Sequence, residues 1–265
     1  MIDDFEFKSR YDIADLLHIM QCLRAPGGCP WDAEQTHESI KKNLIEETYE
    51  VIEAINKQDR DLLLEELGDL LLQVVFHVEM ENEKGSFDFD DVCNAVSQKL
   101  VERHPHVFGT VRADNAEEAL ASWDEVKRSK KGQKKGSAPM LSIPRELPAL
   151  MRADKVQTKA KKVGFDWPDV SGALDKLDEE TAELRQAIEG GDRAEIEMEL
   201  GDLLFSAVNV SRFVGCDAEE ALTASTDKFI ARFQKLEALA AERGVDLEQA
   251  SLAEMDKLWD EIKSQ

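Results

Sequence analysis

Aromatic side chains are scarce in this chain, at 6% of 265 residues, and only two of them are tyrosines. A β-sandwich draws its core from aromatic and β-branched residues. With 34% of the residues charged, the composition instead suits helices rich in Glu, Leu and Ala. Cations are also short: 33 Lys and Arg face 56 Asp and Glu, for a net charge of −23. That field opposes general affinity for nucleic acid or an anionic membrane, and neither is expected as a partner. A polyanionic ligand would need metal ions and a local basic patch. The cysteines Cys22, Cys29, Cys93 and Cys216 form no CxxC pair and no metal-ligand spacing, which suits reduced thiols in the cytoplasm. The opening MIDDFEFKSR lacks the basic segment and apolar run of a signal peptide. Apolar helices reach about the length of a short membrane span but carry internal Glu and Asp. The length leaves room for one large or two small domains.

What is present centres on residues 61–80, DLLLEELGDLLLQVVFHVEM, apolar round nearly the whole helical circumference. Such a helix is expected to be buried. Glu66, Asp69, Gln73 and His77 nevertheless recur at i, i+3, i+7 and i+11, one narrow stripe down the rod, and no Lys or Arg lies between Asp61 and Glu83. Carboxylates held in a helical core without a cation cost several kcal/mol each or take up protons. A bound metal would resolve the conflict.

Around this segment the periodicity predicts helices over 11–24, from a Thr36 or Ser39 cap to about Asn56, over 90–103 and over 115–127. APGGCPWD, 25–32, breaks the first two apart. KRSKKGQKKGSAP, 127–139, is basic and rich in Gly and Ser, and reads as a solvated linker rather than a nucleic-acid tail. Beyond it the chain repeats. ETYEVIEAINKQDRDLLLEELGDLLLQVVFHV from Glu47 aligns without gaps on ETAELRQAIEGGDRAEIEMELGDLLFSAVNVS from Glu180. Lys99 and Arg103 match Lys228 and Arg232, WDEVK at 123–127 matches WDEIK at 259–263, and GCPWD at 28–32 matches GFDWPD at 164–169. The expected architecture is all-α: two tandem units of about four helices each, over 1–128 and 146–265, joined by a linker at 129–145.

In so acidic a chain many ExxE pairs arise by chance, so direction matters more than spacing. On the 40–56 helix, Ile40, Leu44, Thr48, Val51 and Ile55 define a buried arc, with Ile45 and Ile52 extending it. Glu47 falls on its edge and Glu50 a little beyond, while Glu46 and Glu53 point away. Glu47 and Glu50 can therefore meet Glu66 and Asp69 where the helices pack. The second copy supplies Glu180, Glu183, Glu199 and Asp202 at the same register, with no Lys or Arg from Ala194 to Ser211. Four carboxylates without Cys or His specify a hard cation, Mg²⁺ before Mn²⁺ and well before Zn²⁺. Gly68 and Gly201 lie between two of the acids, which suggests close helix approach. Di-iron bundles need a Glu-x-x-His motif on each of two helices. Here Glu34 to His37 stands alone, and His77 reads as a core histidine because the second copy has no histidine to match it.

These blocks resemble the MazG family of nucleoside triphosphate pyrophosphohydrolases, whose signature is EExxE followed by ExxD. Here it reads Glu46-Glu47-Thr48-Tyr49-Glu50 with Glu66-Leu67-Gly68-Asp69, and Glu179-Glu180-Thr181-Ala182-Glu183 with Glu199-Leu200-Gly201-Asp202. GGCPWD, RHPHVFGT and GFDW extend the similarity over almost the whole chain, as in the bacterial two-domain form. The resemblance implies an all-α fold, Mg²⁺ dependence, hydrolysis of NTPs to NMP and pyrophosphate, homodimers and broad base tolerance. It places metal on Glu180, Glu183, Glu199 and Asp202 and their counterparts Glu47, Glu50, Glu66 and Asp69. It places nucleotide contacts on Lys176, Lys228, Arg232, Trp259 and Lys263. Where relatives can offer a lysine four residues before the third acid, this chain has Glu195, with Arg193 the nearest cation.

The side chains are compatible with those assignments. Lys228 and Arg232 share a helical face, as do Trp259 and Lys263, so one pair suits triphosphate oxygens and the other suits stacking on any base. Trp259 equally suits a core or a dimer interface. The expected chemistry is metal-assisted attack of water on the α-phosphorus, with Glu179 or a quartet member such as Glu180 taking the proton. The C-terminal copy, which keeps every expected nucleotide contact, is the expected main centre. Two other functions fit the same residues: a narrower dUTPase-like phosphohydrolase, and a non-catalytic helical module stabilised by Mg²⁺.

Overall fold

A computed structural model describes residues 5–130 and 140–263, and these hold twelve α-helices and no strand. The chain divides into two compact units, Met1–Lys130 and Lys131–Gln265. Residues 131–139 of the expected linker lie outside the described residues. Its flanks are ordered, with helix running to Lys130 and a 3-10 turn at Met140–Ser142.

The first unit is built on a hairpin of α3 (Lys41–Lys57) and α4 (Arg60–Asn82). Gln58 turns the chain in the left-handed region at φ 55°, and Asp59 caps α4 by accepting from the Asp61 and Leu62 amides. The preceding α1 (Ile13–Arg24) packs on α4, after which α2 (Pro30–Glu34) fills part of the expected break. Met20, Ile40, Val75, Phe76 and Met80 form the core, with Leu16, Leu17, Leu72 and Phe89 against it. Then follow α5 (Phe89–Arg103), the short α6 (Pro105–Phe108) and α7 (Ala116–Lys130). Thr36 and Ser39 do not cap α3. Each amide donates to the other's hydroxyl, closing a separate turn one step earlier.

The second unit repeats the hairpin with α9 (Val170–Gly190) and α10 (Arg193–Phe213), preceded by α8 (Ala149–Lys161). Gly191 takes the left-handed position and Asp192 caps α10 by accepting from the Ala194 amide. A long α11 (Ala218–Arg243) packs on α8, on α10 and on the last helix, α12 (Leu252–Lys263). Leu236, Ala240, Leu258 and Ile262 make its core, with Trp259 packed against them.

Three expectations about packing change. On α3 the covered face is Ile40, Asn43, Leu44, Glu47, Val51 and Ala54, while Thr48, Ile45, Ile52 and Ile55 are exposed. At about 100° per residue, that rotation puts Glu47 in the middle of the buried arc rather than on its edge. α4 is buried only over its second half, from Gln73 to Met80, whereas Leu64 is 76% exposed and Leu67, Leu71 and Val74 also face solvent. Among the described residues α3, α1 and α5 are its main packing partners, too few to cover a rod apolar all round. A Cβ built on Gly68 or Gly201 would meet nothing within 4 Å, so neither glycine marks a close approach inside its own unit.

Candidate functional site

The caps fix the acids. Asp59 and Asp192 start α4 and α10 at one residue, so the following two turns carry Glu66 and Asp69, or Glu199 and Asp202, back along the first helix of each hairpin. Glu47, Glu66 and Asp69 then offer carboxylate oxygens all within 4.8 Å of one another. Glu180, Glu199 and Asp202 do the same in the second copy. Glu50 and Glu183 stand outside these trios but act on them. Burial, then the charges of Asp69 and Glu50, pushes the Glu47 carboxyl above its ordinary range. Glu66 is raised by desolvation and then by Glu50. Glu183 is raised by desolvation and then by Glu180. Repelling carboxylates of this kind, with oxygen donors only, suit a hard divalent cation.

The cations differ between the copies. The Lys176 ammonium lies 2.6 Å from Glu180 Oε1 and 2.8 Å from Glu179 Oε1. The hydrogen bond to Glu179, then that to Glu180, holds it well above the usual lysine range. Glu180 is buried, its side chain 6% exposed, while Glu179 is 57% exposed. Lys228 and Arg232 on α11 have no ion-pair partner among the described residues. Glu195 is exposed, and Arg193 pairs with Glu197 at 2.8 Å. Trp259 is half-buried against the core, its ring 5.3 Å from that of Phe229, with Lys263 Nζ 5.9 Å from its centroid. Among the described residues, no hydrogen bond, ion pair or ring contact joins Lys228, Arg232, Trp259 or Lys263 to the acids. In the first copy Arg103 lies over Trp123 at 4.9 Å, so the counterpart of Arg232 is already engaged by the counterpart of Trp259.

One polar cluster was not foreseen. His37 Nδ1 and His77 Nδ1 are 2.7 Å apart with rings stacked at 5.0 Å, and His37 Nε2 meets Glu81 Oε1 at 2.7 Å. The second copy ties the same region differently. Asn209 accepts from Arg212, which pairs with Asp166 in the entry turn. In the sequence only the absence of any histidine from the second copy hinted at this.

The fold and these trios define an all-α protein with a duplicated carboxylate site able to hold a divalent cation. The model of the MazG nucleotide pyrophosphohydrolase domain matches twice, over residues 35–108 and 170–236. A nucleoside triphosphate pyrophosphohydrolase of Escherichia coli (strain K12) is 47% identical over 255 residues, covering 94% of this chain and 96% of that one. A Thermotoga maritima nucleoside triphosphate pyrophosphohydrolase/pyrophosphatase MazG is 46% identical over 249 residues, 94% of each. A Bacillus subtilis protein called uncharacterized, YabN, is 45% identical over 254 residues, 96% of this chain but 52% of its own length. The chain belongs to the MazG family.

Proposed function

We propose that this chain is a Mg²⁺-dependent nucleoside triphosphate pyrophosphohydrolase that converts NTPs and dNTPs to the monophosphate and pyrophosphate, acting as a homodimer with its main centre in the C-terminal copy. The observation that carries the reading is the Glu180, Glu199 and Asp202 trio, with oxygens within 4.8 Å of one another, in a chain nearly half identical over its length to relatives named for that activity. The donor set fits Mg²⁺ because every donor is a carboxylate oxygen. When bound, Mg²⁺ supplies charge neutralisation for the triphosphate and an acidified water, with Mn²⁺ able to substitute.

The chain's own groups do the rest. Lys228 and Arg232, one turn apart and unpaired among the described residues, can donate to phosphate oxygens. Lys176 can add a third cation once it leaves Glu179 and Glu180. The open carboxylate of Glu179 can accept a proton, as can the quartet acids. The Trp259, Phe229 and Lys263 cluster offers a π-face that reads no base edge, in keeping with broad tolerance. The free Arg232 against the engaged Arg103 supports the C-terminal copy as the main centre, leaving dimerisation or regulation to the other.

Glu199→Ala or Asp202→Ala is expected to lower pyrophosphate release by about two to three orders of magnitude while the helical CD spectrum survives. Glu66→Ala is expected to cost much less. Turnover retained in the first two variants would defeat the site, and equal losses in all three would defeat the ranking of the copies. A panel of NTPs and dNTPs in the same assay separates this reading from a dUTPase-like specificity, and absence of any pyrophosphate release would leave only a structural role for the metal.

A further inference from the structure

Lys176 makes the two copies electrostatically unequal. Its ammonium is within 2.8 Å of both Glu179 and Glu180, and Glu180 is the buried member of its trio. Carried four residues back from Glu47 and Glu180 along the same helices, the register of the repeat puts Asn43 at this position in the first copy, half-buried and uncharged. Among the described residues no Lys or Arg pairs there with Glu47, Glu66 or Asp69. We infer that Lys176 is a resident counter-ion of the C-terminal acids, keeping a divalent cation off that site until a triphosphate draws its ammonium away, whereas the N-terminal acids take such a cation unaided.

Two cations cannot share Glu180 cheaply. A dication within reach of its oxygens would lie a few ångströms from Nζ, and like charges so close in a partly desolvated seam repel strongly. Lysine carries its charge on a flexible stem, and the Lys176 side chain is 34% exposed, so it has somewhere to go. Triphosphate oxygens give it a better partner than solvent does. Metal and nucleotide then strengthen each other at the C-terminal site, equally in either order of addition. The inference rests on the triphosphate reading above, but its test needs no turnover.

Mn²⁺ titration of the full chain without nucleotide, followed by the EPR signal of the free ion, is the experiment. In a Glu66→Gln, Asp69→Asn background only the C-terminal trio remains complete. Adding Lys176→Met there is expected to tighten Mn²⁺ binding on the order of tenfold. In the reciprocal Glu199→Gln, Asp202→Asn background, Asn43→Lys is expected to weaken it by a similar factor. Unchanged or weaker binding with Lys176→Met overturns the inference, as does unchanged or tighter binding with Asn43→Lys. Should Lys176→Met lose its helical CD spectrum, the Asn43→Lys pair decides. A chain that hydrolyses no triphosphate yet shows both shifts refutes the functional reading and leaves Lys176 standing as the counter-ion that keeps the metal off.

Discussion

His77 on α4 and Asn209 on α10, one step apart in the register of the repeat, each anchor the turn that leads into the local hairpin. His77 does so through His37, and Asn209 through Arg212 and Asp166. Only the first arrangement contains imidazole. Burial, and then the neighbouring His37, hold His77 below the ordinary histidine range. The folded chain therefore binds that proton less tightly than the unfolded chain, whose histidines titrate near about 6.5. The stability from this contact is complete above that value and is lost as pH falls through the folded one. Glu81, held down to about 2 by Lys84 and then His37, loses its own contribution as pH falls from the ordinary glutamate value toward that one, below this window. The raised Glu47, Glu66 and Glu183 carboxyls act in the opposite sense as pH falls, so the test is the difference between two melting series from pH 7 to pH 5, in which the wild-type midpoint should slope downward relative to that of His77→Asn. Parallel series would remove His77 as a source of the slope.

The two hairpins also differ at one turn residue. Gly191 occupies the left-handed position at no steric cost, while Gln58 occupies the same position at φ 55°. A residue with a Cβ pays about 1–2 kcal/mol there, partly offset because glycine gives up more entropy on folding. Gln58→Gly should therefore stabilise the first unit by about 0.5–1 kcal/mol, visible as a rise of about 2–4 °C in its melting midpoint. No rise would mean that the turn is relaxed as it stands. The helices and the acid register were open to sequence reading because their signals are local, apolar and acidic residues recurring within one or two turns. The cap expected at Thr36 or Ser39 instead proved to be a separate turn. The rotation of α3 was not legible. Its apolar pattern covers more of the circumference than one unit buries, so the pattern alone cannot say which part meets α4. The bond between His37 and His77 escaped for a related reason. It joins residues 40 positions apart whose spacing carries no periodic signal.

Across the whole molecule, the misfit between apolar pattern and burial has a consistent location. Ile45, Tyr49 and Ile52 on α3, with Leu64 and Leu67 on α4, are all exposed. Ile188 on α9 and Met198 and Leu204 on α10 repeat the exposure in the second unit. Singly such residues are ordinary, but rows of them on paired helices are uncommon on a monomer surface and mark an interface. The proposed homodimer gives them an occupant, since a second copy brings the same apolar rows. A stable interface buries about 800 Å² per partner, within reach of one hairpin face. Light scattering behind a sizing column should then report about twice the 29.8 kDa chain mass, with a melting midpoint that rises with protein concentration. Leu64→Glu with Leu67→Glu tests the first row, and Met198→Glu with Leu204→Glu tests the second. At least one pair should halve the measured mass and lower the midpoint while the helical CD of the folded chain persists at low temperature. A wild-type chain that runs as a monomer at tens of micromolar, with a midpoint independent of concentration, would leave these rows uncovered and end the case for the dimer.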